Sequence, residues 1–311
     1  MNLRLSTAPH IRASETTASL MGCVLIALLP TAAAGVYYFG LNALIVLLLS
    51  TASAVVAELV WQLLAKQKVR IGDLSAAVTG LILGLNLPST APWWLPVIGS
   101  VIAVILVKQL FGGIGDNFMN PALAARGILL ASWPVRMTAF VLPTMWQGVD
   151  AVSSATPLAG AEFSLMNRFL GQIPGTIGEV SKVMILVGFL FLLLTKTISW
   201  HIPTVMVATV FVLSLFTQGS FVGALTAILS GGLLFGAVFM ATDYVTCPMT
   251  GVGQIIYAFV AGLMVWVIRN FGNYPEGVTY AILFANILTP LIDRFIKTKV
   301  YGHGKEVKSN G

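Results

Sequence analysis

Apolar residues run along the chain in ten long stretches separated by short polar punctuation: near 18–39, 41–64, 74–88, 92–111 and 120–141, then near 181–199, 201–217, 220–240, 252–270 and 278–296. A helix crossing about 30 Å of hydrocarbon needs about 20 mostly apolar residues, so each stretch predicts a spanning or partly spanning helix. The stretches fall into two groups of five. Several are short or interrupted by Pro88, Pro96, Pro121 or the Gly112-Gly113 pair. Broken helices persist at membrane depth only where protein or a cavity shields the freed backbone, which points to a central site.

Of the 311 residues, 57% are hydrophobic and 9% charged, with a mean hydropathy of +0.92. A soluble domain carries roughly 25% charged residues. The expected fold class is therefore an all-α polytopic membrane protein of about ten transmembrane helices. Two cysteines are too few for a disulfide scaffold or a thiolate-built metal centre. Polar residues run to Ser19, and the apolar stretch after them continues past Pro30 without a small-residue cleavage pattern. The segment is expected to be retained rather than removed as a signal peptide.

Lys and Arg number 17 against 11 Asp and Glu, an excess that suits cytoplasmic loops and lipid headgroups, with no nucleic acid expected. Assigning alternate loops to alternate faces places twelve cations on one side: Arg4, Arg12, Lys66, Lys68, Arg70, Lys108, Lys196, Arg294, Lys297, Lys299, Lys305 and Lys308. The other side receives Arg136, Arg168, Lys182 and Arg269, with Arg126 left inside the fifth stretch. The positive-inside rule then puts both termini in the cytoplasm, and the connection 142–180 on the outer face.

The two groups resemble one another. Gly80-Leu81-Ile82-Leu83-Gly84 recurs as Gly232-Leu233-Leu234-Phe235-Gly236, each at the third stretch of its group. Lys108-Gln109-Leu110-Phe111-Gly112 recurs loosely as Ile268-Arg269-Asn270-Phe271-Gly272. Units of five spans force the second to enter from the opposite face, giving two inverted five-helix repeats about an axis in the membrane plane. The expected organisation is a first repeat over 1–141, an outer loop over 142–180 and a second repeat over 181–311.

That outer loop holds Asp150-Ala151-Val152-Ser153-Ser154-Ala155-Thr156-Pro157. One reading is a hydroxyl-rich turn, with Pro157 holding Thr156 extended. The other is that the segment resembles the flavinylation motif Asp-x-x-Ser-Gly-Ala-Thr, whose Thr hydroxyl forms a phosphoester with FMN. Thr156 would be the acceptor, Ser153, Ser154 and Ala155 the small neighbours that admit a flavin transferase, and Asp150 the carboxylate that helps hold the donor's metal-bound phosphates. Ser154 departs from the motif's Gly, which matters if that position needs positive φ.

With Asn117-Phe118-Met119-Asn120-Pro121-Ala122-Leu123, Arg126 and Phe239-Met240-Ala241-Thr242-Asp243, the chain resembles, over nearly its whole length, the NqrB/RnfD family. These are membrane subunits of the sodium-pumping NADH:quinone oxidoreductase and of the Rnf ferredoxin–NAD oxidoreductase complex. Only about nineteen residues precede the first stretch, which favours the Rnf branch. The resemblance implies a urea-transporter-like fold in a bacterial inner membrane, covalent FMN on Thr156 in a periplasmic loop, and a noncovalent riboflavin between the repeats. It also implies other Rnf subunits as partners, among them an FMN-bearing RnfG-like donor, and coupled transport of Na⁺ or H⁺. Such a subunit carries electrons within a translocase and is not catalytic alone.

Three more residues are candidate cofactor contacts, each with a structural alternative. Asn120 sits where it would cap a helix begun by Pro121. Arg126 lies in a span, at a cost of about 2.5–3.5 kcal/mol if uncompensated; its partner would be an acidic residue, helix-end carbonyls or a flavin. Asp243 would cap the next helix, bond a flavin ring or mark a cation route. Glu58 is expected to pair with the basic loop at Lys66. The three His lack metal-ligand spacing, and Cys23 and Cys247 suit packing. No Gly-x-Gly-x-x-Gly precedes a strand and no Cys-x-x-Cys occurs, which places nicotinamide and iron–sulfur sites in other subunits. The rival expectations are a urea-transporter-like solute channel without flavin and a purely structural anchor.

Overall fold

The computed structural model describes residues 16–143, 163–272 and 277–296, and every regular element among them is helical. Helix α1 (Thr17–Phe39) begins at Thr16, whose side chain accepts from Ser19 N. Gly40, at φ 73°, turns the chain directly into α2 (Leu41–Leu64). Helix α3 (Ser75–Leu85) follows a single 3₁₀ turn, Ile71–Asp73. Helix α4 (Trp94–Val101) continues through a π-helical stretch, Ile102–Lys108, and a 3₁₀ turn, Gln109–Phe111. Gly112 and Gly113 then end it at φ 118° and 99°, a left-handed conformation that glycine adopts without steric cost.

Helix α5 (Pro121–Ser132) is followed by the short α6 (Pro134–Met137) and α7 (Leu165–Leu170). The remaining elements are α8 (Lys182–Leu194), α9 (His201–Gln218), α10 (Phe221–Leu229), α11 (Leu233–Phe235) with a π-helical extension Gly236–Met240, α12 (Gly251–Phe271) and α13 (Val278–Phe295). Each of the ten apolar stretches coincides with one of these elements or a consecutive pair. By length and composition, however, six helices are able to cross a membrane, or seven counting α10 and α11, which form a pair bent by 64°. Helices α3, α5 and α8 are apolar but short: the eleven residues of α3 rise only about 17 Å.

Small residues set the closest helix contacts, as expected where no water drives association. A Cβ on Gly188 of α8 would collide with the carbonyl oxygen of Ala27 in α1, and one on Gly80 of α3 would stand 2.7 Å from Ser50 O in α2. Ser50 Oγ donates to Gly80 O at 2.7 Å, and Ser100 Oγ donates to Ser50 O at 2.8 Å, tying α2, α3 and α4 together. In the first group α2 packs on α3 and α4; in the second α9 packs on α10 and α12. Between the groups, α1 lies against α8 and α5 against α13.

Two features of the connections differ from expectation. The end of the expected outer loop is interior: Ile173, Thr176, Ile177, Glu179 and Val180 are all buried. This non-helical backbone is shielded, and Ile177 N and Gly178 N donate to Leu87 O, just past α3, and to Leu85 O, on its last residue. Three cations assigned to loops are also buried, namely Lys108, Arg168 and Lys182, because each has polar partners inside the bundle. The candidate residues Asp150, Ser153, Ser154, Ala155 and Thr156 lie outside the described residues.

Candidate functional site

A cavity opens where the first and second groups meet, between α1, α3, the segment 114–122, the end of α8, and the π-helical stretch of α11 with the residues that follow it. Its apolar walls include Val24, Ile82, Leu192, Ile198, Val238 and Phe239, and its polar lining includes Ser75, Thr79, Lys108, Asn117, Asn120 and Asp243. A mostly apolar hollow with a few convergent polar groups is the usual form of a small-molecule site.

Asn120 caps α5 as its sequence position predicts: its Oδ1 accepts from Ala122 N at 3.1 Å and Leu123 N at 3.3 Å. Its Nδ2 donates to Met240 O at 3.3 Å. That bond joins the Asn-Pro segment of the first group to the Phe239–Asp243 segment of the second. Asn86, the C-cap residue of α3, donates from Nδ2 to Ile82 O at 2.7 Å and to Met240 Sδ at 3.3 Å. Its Oδ1 accepts from Arg126 at 3.0 Å. Arg126 is 3% exposed, and neither it nor Asn86 lines the cavity. One of its partners is thus a neutral amide side chain.

Asp243 reaches the cavity but does not cap the next helix; Thr250 caps α12, accepting from Gly253 N. The Asp243 carboxylate instead accepts from Val245 N at 3.3 Å and from the Thr246 hydroxyl at 3.5 Å. Loss of solvent raises its pKa to about 6, more than these two bonds lower it. Burial pushes the nearby Cys247 thiol up to about 12, with the Asp243 charge adding to the effect. With no charge partner among the described residues to lower it, the free Cys247 thiol is neutral. Among the described residues no three His, Cys, Asp or Glu gather as a metal site.

Glu58 does not pair with the loop at Lys66. Its two carboxylate oxygens each accept from Lys108 Nζ at 3.0 Å, and Oε1 also accepts from Gln109 Nε2 at 2.7 Å and Gln62 Nε2 at 3.2 Å. Lys108 Nζ donates further to Ser75 Oγ at 2.5 Å. Sequence reasoning missed Asn86 and this network. The signal for the network was present: Glu58 and Lys108 are single charges of opposite sign in apolar stretches, and charges at membrane depth pair with one another.

The sequence profile of the NQR2, RnfD, RnfE family matches residues 4–302. The chain is 46% identical, over 97% of its length and 96% of the relative's, to the D subunit of the Na⁺-translocating ferredoxin:NAD⁺ oxidoreductase complex of Acetobacterium woodii. It is 41% identical, over 96% of both chains, to the D subunit of the proton-translocating ferredoxin:NAD⁺ oxidoreductase complex of Clostridium ljungdahlii. A third relative is the D subunit of the ion-translocating oxidoreductase complex of Erwinia tasmaniensis, 36% identical over 98% of this chain and 99% of its own. On a profile match and relatives that both run through nearly its full length, the chain belongs to the NQR2, RnfD, RnfE family.

Proposed function

We propose that this chain is the membrane redox carrier of an ion-translocating ferredoxin:NAD oxidoreductase complex, with FMN esterified to Thr156 and a second, noncovalent flavin, riboflavin by the family resemblance, in the central cavity. The observation that carries the first flavin is the segment 150–156, which follows the flavinylation pattern at every defined position but Ser154. It stands in a chain similar, along nearly its full length, to the D subunits of such complexes. When bound, a flavin supplies reversible electron transfer, and the protein supplies placement and electrostatic tuning.

The cavity's donor set suits a flavin ring. The pyrimidine edge of an isoalloxazine carries one N–H donor between two carbonyl acceptors. Asp243 offers an acceptor, Asn117 an amide with both functions, and Lys108 a cation, against the apolar walls of Ile82, Val238 and Phe239. Asn120 fixes the wall by joining α5 to Met240. Arg126 acts at one remove, by orienting Asn86.

The architecture assigned to the chain is ten transmembrane elements in two inverted five-helix repeats of the urea-transporter kind. It is supported by the matched packing of α2 on α3 and α4 and of α9 on α10 and α12, and by the pairing of equivalent helices, α1 with α8 and α5 with α13. The sidedness assigned is cytoplasmic for both termini and periplasmic for Thr156. Among the described cations, Lys66, Lys68, Arg70, Lys196 and Arg294 are exposed on the cytoplasmic side, against Arg136 on the other. An RnfG-like flavoprotein delivers electrons at the outer face, and the cavity lies toward the inner face, where Lys66 and Lys196 also lie. Relatives named for Na⁺ and for protons are both similar to the chain, so the coupled ion follows from neither name.

The experiment is in-gel fluorescence of the denatured subunit. A band that glows under ultraviolet light, and is lost in Thr156→Ala, is expected. A dark wild-type band overturns the proposal.

A further inference from the structure

The Glu58–Lys108 pair is a buried salt bridge, and it is set in the bundle with a direction. Lys108 and Ser75 line the central cavity, whereas Glu58, Gln62 and Gln109 do not. The carboxylate is held from behind by the two glutamine amides, at 2.7 Å and 3.2 Å. The Ser75 hydroxyl accepts from Lys108 and donates to Asp73 Oδ1 at 2.6 Å. The network thus turns its positive end to the cavity wall and keeps its negative end behind. Lys108 closes the π-helical stretch Ile102–Lys108, an irregularity that shifts side-chain register and recurs at functional positions.

Stability alone does not account for this arrangement. A buried ion pair barely offsets its own desolvation, and apolar side chains of similar volume often do as well. Among the described residues that line the cavity, Lys108 is the one cation, and Asp243 is the one carboxylate.

We infer that Lys108, held against Glu58, is a positioning cation that stabilises the negative charge acquired on reduction by a flavin ring in the cavity. The inference rests on the reading that the cavity takes a noncovalent flavin. Transfer of two electrons and one proton from an anionic reduced flavin donor would leave the ring with one negative charge and the donor oxidised and neutral. A nearby cation favours that reduced, charged form over the neutral oxidised one, and Glu58 moderates the effect by neutralising part of the lysine's field.

The test is a redox titration of the intact complex carrying Lys108→Met or Glu58→Gln, with each flavin followed separately. Lys108→Met is expected to shift the reduced-to-oxidised affinity ratio of the noncovalent flavin at least tenfold toward oxidised, about 30 mV lower for a two-electron couple. Glu58→Gln is expected to move it the other way, and the covalent flavin is expected to stay in place in both. If Lys108→Met fails to assemble, Lys108→Gln keeps hydrogen bonding without the charge and carries the same expectation; Lys108→Arg should restore the wild-type value. Noncovalent flavin that is retained with an unmoved potential, or that moves in the same direction in both variants, overturns the inference. A wild-type complex that releases no riboflavin into acid overturns the cavity reading itself, a different and separately visible result.

Discussion

The Nδ2 of Asn120 donates to the carbonyl oxygen of Met240 at 3.3 Å while its Oδ1 caps α5. One amide therefore starts a helix of the first group and grips the backbone of the second, beside the cavity. Asn120→Ala removes both functions and is expected to lower stability by about 1–2 kcal/mol, the cost of a lost cap. Asn120→Asp retains the acceptor and loses only the cross-link, so its thermal midpoint in detergent should fall between those of Asn120→Ala and wild type. Equal midpoints for Asn120→Asp and wild type would show that the Met240 bond contributes nothing.

Arg126→Ala leaves the Asn86 Oδ1 without its cation and is expected to cost about 1.5–3 kcal/mol. Because Arg126 does not line the cavity, the folded variant should keep the proposed flavins below the melting transition. Flavin loss at unchanged stability would instead make Arg126 a direct cofactor contact.

Gly188→Ala drives a methyl group into the Ala27 carbonyl, with the Phe239 ring at 2.7 Å from the same ideal position. Backbone oxygen cannot rotate away, so α1 and α8 must separate. A loss of about 1–3 kcal/mol follows, as for other overpacked interiors, read as a lower denaturation midpoint. Wild-type stability would contradict the contact between these helices.

The Asp243 carboxyl has a folded pKa of about 6, above its ordinary 3.8. Folding therefore favours its protonated form, a contribution complete below about pH 4 and lost as pH rises through about 6. Relative to wild type, Asp243→Asn should gain thermal stability across this window and hold a constant margin above it. A difference between the two proteins that does not change with pH would contradict the desolvation of this carboxyl.

Much of the fold is legible because membrane helices are long local patterns. The Leu41–Leu64 helix follows from unbroken apolar composition, and the start of α5 from Asn120 before Pro121. Relations between distant elements are not local. Glu58 and Lys108 lie fifty residues apart, and no periodicity shows that α2 and the end of α4 abut. The π-helical stretches keep the hydropathy of ordinary helix, so they leave no trace in the pattern. Residues 171–181 carry Gly, Gln, Thr, Glu and Ser, a loop composition, yet all but Gln172 are buried, and backbone groups at the end of α3 receive them. Within the cavity, Asn120 and Asp243 were legible from their motifs. Asn86, outside its lining, was not, since its role depends on Arg126 and Met240 arriving from other helices.

The most direct measurement is mass spectrometry of the peptide containing Thr156, prepared from the subunit purified from its native host. The expected peptide is heavier by one FMN less one water, with the addition mapped to the Thr156 hydroxyl. An unmodified peptide, or flavin mapped to another residue, would contradict the covalent carrier.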